Sequence, residues 1–188
     1  MRALEVVALS IVLALSGGGT KRQHVCPVEL SFTNYPVSGA TLQEVRAAMR
    51  AHGPRDESGD RRFATAEWRV HWSWKPAATG GIDPESVQLR CTATIRMPEL
   101  AWPKVLDGLE EARWAEYRQR LLQHEMNHVR HAERLAPEIR GRIQAWARHA
   151  GSVSAERAQS IARGVVREMR ALDRAYDRRT RHGRTEGL

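Results

Sequence analysis

His124-Glu125-Met126-Asn127-His128 reads H-E-x-x-H. On a helix the residues at i and i+4 share a face, so both imidazoles can bind one Zn²⁺ while the glutamate beside the first reaches a water on the metal. A structural zinc site takes four protein ligands, whereas a catalytic one takes three and leaves the fourth position open. The motif therefore supplies two ligands, His124 and His128, and a general base, Glu125. It requires a third ligand from elsewhere.

His131 is nearest in sequence, seven residues beyond His124. Positions i and i+7 lie about 10 Å apart along a helix axis, while Zn–N bonds are about 2 Å, so His131 cannot join the same ion. It is expected beside the site or on the surface. The metzincin pattern is excluded, because His131 stands where that pattern has its glycine and Arg134 where it has its third histidine. A ligand from another helix is easier to build, since antiparallel helices pack at about 8–10 Å and their side chains converge. The last helical stretch offers Glu156, Glu168, Asp173 and Asp177, with His182 just past its end. Glu156 and Glu168 sit on a charged face of the kind that is ordinarily solvated. Asp173-Arg174-Ala175-Tyr176 resembles the Asp-x-x-Tyr of the aspzincins, without the glycine after the tyrosine, which makes Asp173 a candidate.

The elements that must position these residues fall in a simple order. Val28–Thr33 reads as a strand running into a turn at Asn34–Gly39. Thr41 and Glu44 have capping-box spacing and open a helix that His52-Gly53-Pro54 ends. From Ala64 to Trp74, and again from Val87 to Ile95, apolar and polar residues alternate, which predicts two antiparallel strands of a long hairpin. The tryptophans 68, 72 and 74 fall on the apolar phase and are expected in the core, with His71 on the solvated phase. A long amphipathic helix from about Lys104 to Pro137 carries the metal motif. A second runs to about His149, closed by Gly151, and a third from Ala155 to about Thr180 is capped by Ser154. Strands first and helices afterwards predict an α+β fold: an N-terminal antiparallel sheet or hairpin with one short helix, then a C-terminal helical half.

Residues 1–19, with Arg2, an apolar run from Val6 to Leu15 and the small residues Ser16–Gly19, read as a secretory signal peptide. The apolar run is too short for the roughly 20 residues that span a bilayer, so no transmembrane helix is expected after cleavage. Residues 24–188 are expected to form one domain. In an oxidising compartment Cys26 and Cys91 most simply form one disulfide, and with no C-x-x-C they are not expected to bind metal. Thirty Lys and Arg against 22 Asp and Glu leave a net charge of +8, which favours an anionic partner such as an envelope surface. The charges are interspersed, and no aromatic-and-basic stacking platform is visible, which argues against nucleic acid.

The turn Tyr35–Thr41, the tryptophan-rich strand, the H-E-M-N-H helix and the ending Thr180-x-His182-Gly183-x-x-x-Gly187 together resemble a bacterial family classed as domain of unknown function 922 and regarded as secreted zinc-dependent proteases. The resemblance covers nearly the whole mature chain. It implies a minimal zincin-like fold, one Zn²⁺ and hydrolysis of amide bonds in a protein, peptide or peptidoglycan peptide, in a secreted or periplasmic setting. It also raises His182 as the third ligand, because Thr-x-His-Gly after the last helix is where the chain would return to the metal. The expected site is thus His124, His128 and His182 on zinc, with Asp173 or Asp177 as alternatives, and Glu125 as general base. Tyr176, or His182 if it does not ligate, would stabilise the oxyanion. The rival expectation is a non-catalytic envelope binding or scaffold protein on a zincin-like fold. A testable distance follows: both Nε2 atoms should face a third donor within about 4 Å.

Overall fold

The computed structural model describes residues 26–56, 59–78, 80–101 and 106–188, and the signal-peptide expectation lies outside them. Three strands form one sheet in the order β1-β3-β2, with β1 at Val28–Val37, β2 at Thr65–Ser73 and β3 at Gln88–Leu100. β2 and β3 are the expected antiparallel hairpin, in register from Thr65 opposite Arg96 to Ser73 opposite Gln88. β1 lies on the far side of β3 and runs parallel to it, from Val28 beside Cys91 to Val37 beside Leu100, so the sheet is mixed. That register brings the start of the described chain next to the middle of β3. Cys26 and Cys91 are bridged there, with Cα atoms 6.1 Å apart.

Both strands outrun their predicted ends through prolines. β1 continues through Pro36, which an edge strand tolerates because one side of it has no ladder to feed. β3 continues through Pro98, and beyond Arg96 it is paired only on the β1 side. Alternation places Cys91, Ala93, Ile95 and Met97 in the core while Arg90 and Arg96 are exposed. On β2 the tryptophans 68 and 72 pack inwards, and Glu67, Arg69, His71 and Ser73 face solvent. One face of the sheet is therefore covered by helices.

Helix α1, Leu42–His52, starts where Thr41 Oγ1 accepts the Glu44 N–H at 3.2 Å, and Glu44 reaches back to the Ala40 N–H at 2.7 Å. Such a cap contributes about 1 kcal/mol. Helix α2, Gly108–Leu135, begins four residues after the expected Lys104, because the Asp107 carboxylate caps it through the Glu110 N–H at 2.9 Å. Its 28 residues span roughly 42 Å. The buried stripe along α2 is Trp114, Tyr117, Leu121, His124, Glu125, His128, Val129 and Ala132, so the H-E-x-x-H residues occupy positions that would otherwise be apolar core.

Helix α3, Glu138–Ala150, follows after Pro137 and ends at the left-handed Gly151. Helix α4, Ala155–Thr180, is capped by Ser154 as expected. Ala158, Ala162, Val165 and Met169 of α4 pack with Ile139 and Ile143 of α3, Cys91 of β3 and Ala132 of α2 in one core cluster. A second cluster joins Val45 and Met49 of α1 to Ile95 and Met97 of β3 and Trp114, Tyr117 and Leu121 of α2. The H-E-x-x-H residues lie between Leu121 and Val129 of the second cluster, just before α2 passes to the first at Ala132. Among the described residues no helix is long and apolar enough to cross a membrane.

Candidate metal centre

α4 lies antiparallel to α2: His131 meets Asp173, and one turn on in the opposite sense His124 meets Asp177. Asp177 Oδ1 stands 3.2 Å from His124 Nε2 and 3.2 Å from His128 Nε2. These three atoms form a His-His-Asp group of the kind that can hold a metal ion. The two separations of 3.2 Å suit a tetrahedral metal site, whose ligand atoms stand roughly 3.3 Å apart at bonds of about 2.0–2.1 Å. Asp177 takes the place for which His182 was expected. It lies within α4 on the side facing α2, whereas His182 lies beyond the helix end, with its side chain 49% exposed and its Nδ1 3.9 Å from Asp177 Oδ2.

The other ring nitrogens also find carboxylates. His124 Nδ1 is 2.7 Å from Glu186 Oε2, and His128 Nδ1 is 3.1 Å from Asp173 Oδ1. Asp173 is further held by His131 Nδ1 at 2.7 Å and by the Trp68 indole N–H, which donates to Oδ2 at 2.7 Å. Asp173 is therefore a clamp on the far side of His128 from Asp177. His131 lies outside that group of three; with His128 and Asp173 it makes a second His-His-Asp group. Trp68, expected only as core, contributes a half-buried donor as well.

Tyr176 is drawn into the cluster. Its ring stacks on His124 with centroids 4.9 Å apart. Its hydroxyl donates to Glu186 Oε1 at 2.8 Å and accepts from the Asn127 side-chain amide at 2.7 Å. Glu186 sits on the Nδ1 side of His124, away from the Nε2 atoms that converge on Asp177. The hydroxyl therefore supports Glu186.

Burial and pairing set the electrostatics. Glu125 is 6% exposed, and burial pushes its carboxyl up to about 7, opposed by the two histidines and by the Ala66 N–H, which donates to it. Burial disfavours a charged His128, yet bonds to Asp173 and Asp177 outweigh it and raise that imidazole to about 10. His124 is likewise raised, as Asp177 and Glu186 overcome its burial. Asp177 is the converse: burial raises it, and bonds to both histidines hold it well below the ordinary carboxylate range. The surrounding carboxylates thus favour the protonated form of both imidazoles, and a divalent cation would compete with those protons.

Residues 32–183 match the family described as bacterial protein of unknown function (DUF922). The chain belongs to this family. No curated protein and no solved structure matches it. The family match spans the sheet, the H-E-x-x-H helix and α4 with Asp173 and Asp177, and it ends at Gly183, three residues before Glu186.

Glu186 was missed as a site residue. Its signal in the sequence was only indirect: the glycines 183 and 187 that bracket it both adopt left-handed backbone, as a tight reversal requires.

Proposed function

We propose that this DUF922 chain is a zinc-dependent hydrolase of amide bonds in peptides, proteins or peptidoglycan peptides, acting in the cell envelope or outside the cell. One observation carries the reading: Asp177 Oδ1 stands 3.2 Å from both Nε2 atoms of the H-E-x-x-H motif, which gives the three protein donors that a catalytic zinc site uses. Zn²⁺ bound there supplies Lewis acidity that polarises an amide carbonyl and brings a water's pKa from 15.7 towards roughly 7. His124, His128 and Asp177 would hold the ion. Glu125, whose carboxyl burial raises to about 7 and to which the Ala66 N–H donates, would serve as the general base that accepts a proton from water and passes it to the leaving amine. The Cys26–Cys91 disulfide supports an oxidising compartment, in keeping with the apolar segment near the N-terminus.

The test is Glu125→Gln in purified protein, with zinc measured by mass spectrometry and cleavage followed on casein and on peptidoglycan peptides. About one zinc per chain in both proteins, with cleavage by the wild type alone, is expected. Stoichiometric zinc without hydrolysis of any substrate by the wild type would favour the non-catalytic scaffold. Absence of zinc would sink both the metal centre and the enzyme.

A further inference from the structure

After α4 ends at Thr180, the backbone enters the left-handed region at three successive residues, Arg181, His182 and Gly183, and again at Gly187. For Arg181 and His182 this costs about 1–2 kcal/mol each, so surrounding contacts must enforce it. They do. The His182 N–H donates to the Asp177 carbonyl at 2.8 Å, the Gly183 N–H to Thr180 Oγ1 at 3.2 Å, and the Glu186 and Leu188 N–H groups to the Gly183 carbonyl at 2.8 and 3.2 Å. A side chain at Gly187 would start 2.7 Å from the Arg120 guanidinium of α2, and one at Gly183 would strike Leu188. Leu188 itself packs against the core cluster that includes Tyr117 and Leu121.

The product of this reversal is the position of one carboxylate. Glu186 Oε2 meets His124 Nδ1 at 2.7 Å, while Oε1 is gripped by the Tyr176 hydroxyl, itself braced by Asn127. An imidazole that donates Nδ1–H to a carboxylate is fixed in the tautomer whose Nε2 lone pair can ligate. The two histidines differ in how they are held. The carboxylate behind His128 belongs to Asp173 in the body of α4, but the one behind His124 belongs to a short segment beyond any long helix.

We propose that residues 183–188 are a docking strap that is part of the metal centre: Glu186 is a positioning residue that holds His124 in its ligating tautomer, and metal binding in turn fastens the strap. The second half follows from linkage, because whatever raises metal affinity when docked is itself stabilised by metal to the same extent. The proposal rests on His124 being a metal ligand, as argued above.

The experiment uses the full chain as wild type, Glu186→Gln and Glu186→Ala, each checked for unchanged helical circular dichroism. Zinc affinity is measured by chelator competition, and hydrogen exchange of the C-terminal peptide is followed with and without zinc. The alanine variant should lose roughly 10–100-fold in zinc affinity, and the glutamine variant, which keeps a neutral acceptor, should lose less. Exchange in 183–188 should slow on zinc addition in the wild type and respond little in Glu186→Ala. A folded alanine variant, or should it fail to fold a glutamine variant, that binds zinc as the wild type does while the strap ignores the metal overturns the proposal and leaves the metal centre standing. A wild type that binds no zinc overturns both.

Discussion

Zinc binding to this chain should be steeply pH-dependent, because the two imidazoles that would hold the ion are both shifted towards their protonated form without it. His128 is raised to about 10 by Asp173 and Asp177, which its burial opposes but does not outweigh. At pH 7, three pH units lower, about one molecule in a thousand has a neutral His128, and freeing its Nε2 costs about 4 kcal/mol. Affinity should therefore climb about tenfold per pH unit from pH 7 upwards, and faster where His124, also raised, is still charged. Chelator competition at half-unit steps from pH 7.0 to 8.5, corrected for the chelator's own protonation, reads the slope. Calorimetry in buffers of different ionisation enthalpy counts the protons, with at least one per zinc expected at pH 7.5. An affinity that changes less than twofold from pH 7.0 to 8.0, with no proton released, would refute the charge pattern and with it the donor assignment. Stability of the metal-free protein gives an independent check of sign. A histidine whose folded pKa exceeds its unfolded value of about 6.5 stabilises fully below pH 6.5 and loses that contribution as pH rises through about 10. Denaturant titration of the zinc-free protein should thus show a loss of roughly 2 kcal/mol from pH 7 to 9. With zinc bound the proton has already left, and this loss should vanish.

Two substitutions separate the possible third ligands: Asp177→Asn should abolish stoichiometric zinc, losing on the order of 100-fold in affinity or more, while His182→Ala should stay within a few-fold of wild type. The reverse pattern by mass spectrometry and competition would restore His182 to the metal. The disulfide links residues 65 apart in sequence, for which the chain-entropy account gives a contribution of about 4 kcal/mol. A Cys26→Ser/Cys91→Ser protein should melt well below the wild type, and a loss under about 1 kcal/mol would show that the register of β1 beside β3 is held without the bridge.

The elements were readable where the signal was local. Thr41, Ser154 and Gly151 mark helix ends through bonds and backbone angles within a few residues, and the helices begin or stop where these residues predict. The hairpin of β2 and β3 was readable from alternation alone. The parallel placement of β1 was not, because its register depends on Cys26, Cys91 and the inner faces of three strands meeting at once. The prolines misled for the same reason: Pro36 and Pro98 end a strand only where their missing N–H would have had a partner, and pairing is a property of the sheet.

The site divides along the same line. His124, Glu125 and His128 could be read from spacing, since a helix fixes what i and i+4 share whatever surrounds it. The third donor depended on how far α4 slides along α2, which no local pattern states. Yet the two helices carry matching ladders, histidines at 124, 128 and 131 and aspartates at 173 and 177. Because the helices are antiparallel, a step from Asp173 to Asp177 moves one turn up α2, from the pair His128 and His131 to the pair His124 and His128. Only this register gives each aspartate two imidazoles and each of His124 and His128 a bond to Asp177. Sliding α4 by a turn would leave one carboxylate beside a single histidine and bury another charge without a partner, at a cost of several kcal/mol. The charge ladders therefore help set the helix register, and the register in turn selects Asp177. His182 lies outside this ladder, beyond the end of α4, with its Nδ1 3.9 Å from Asp177 Oδ2 on the edge of the same cluster.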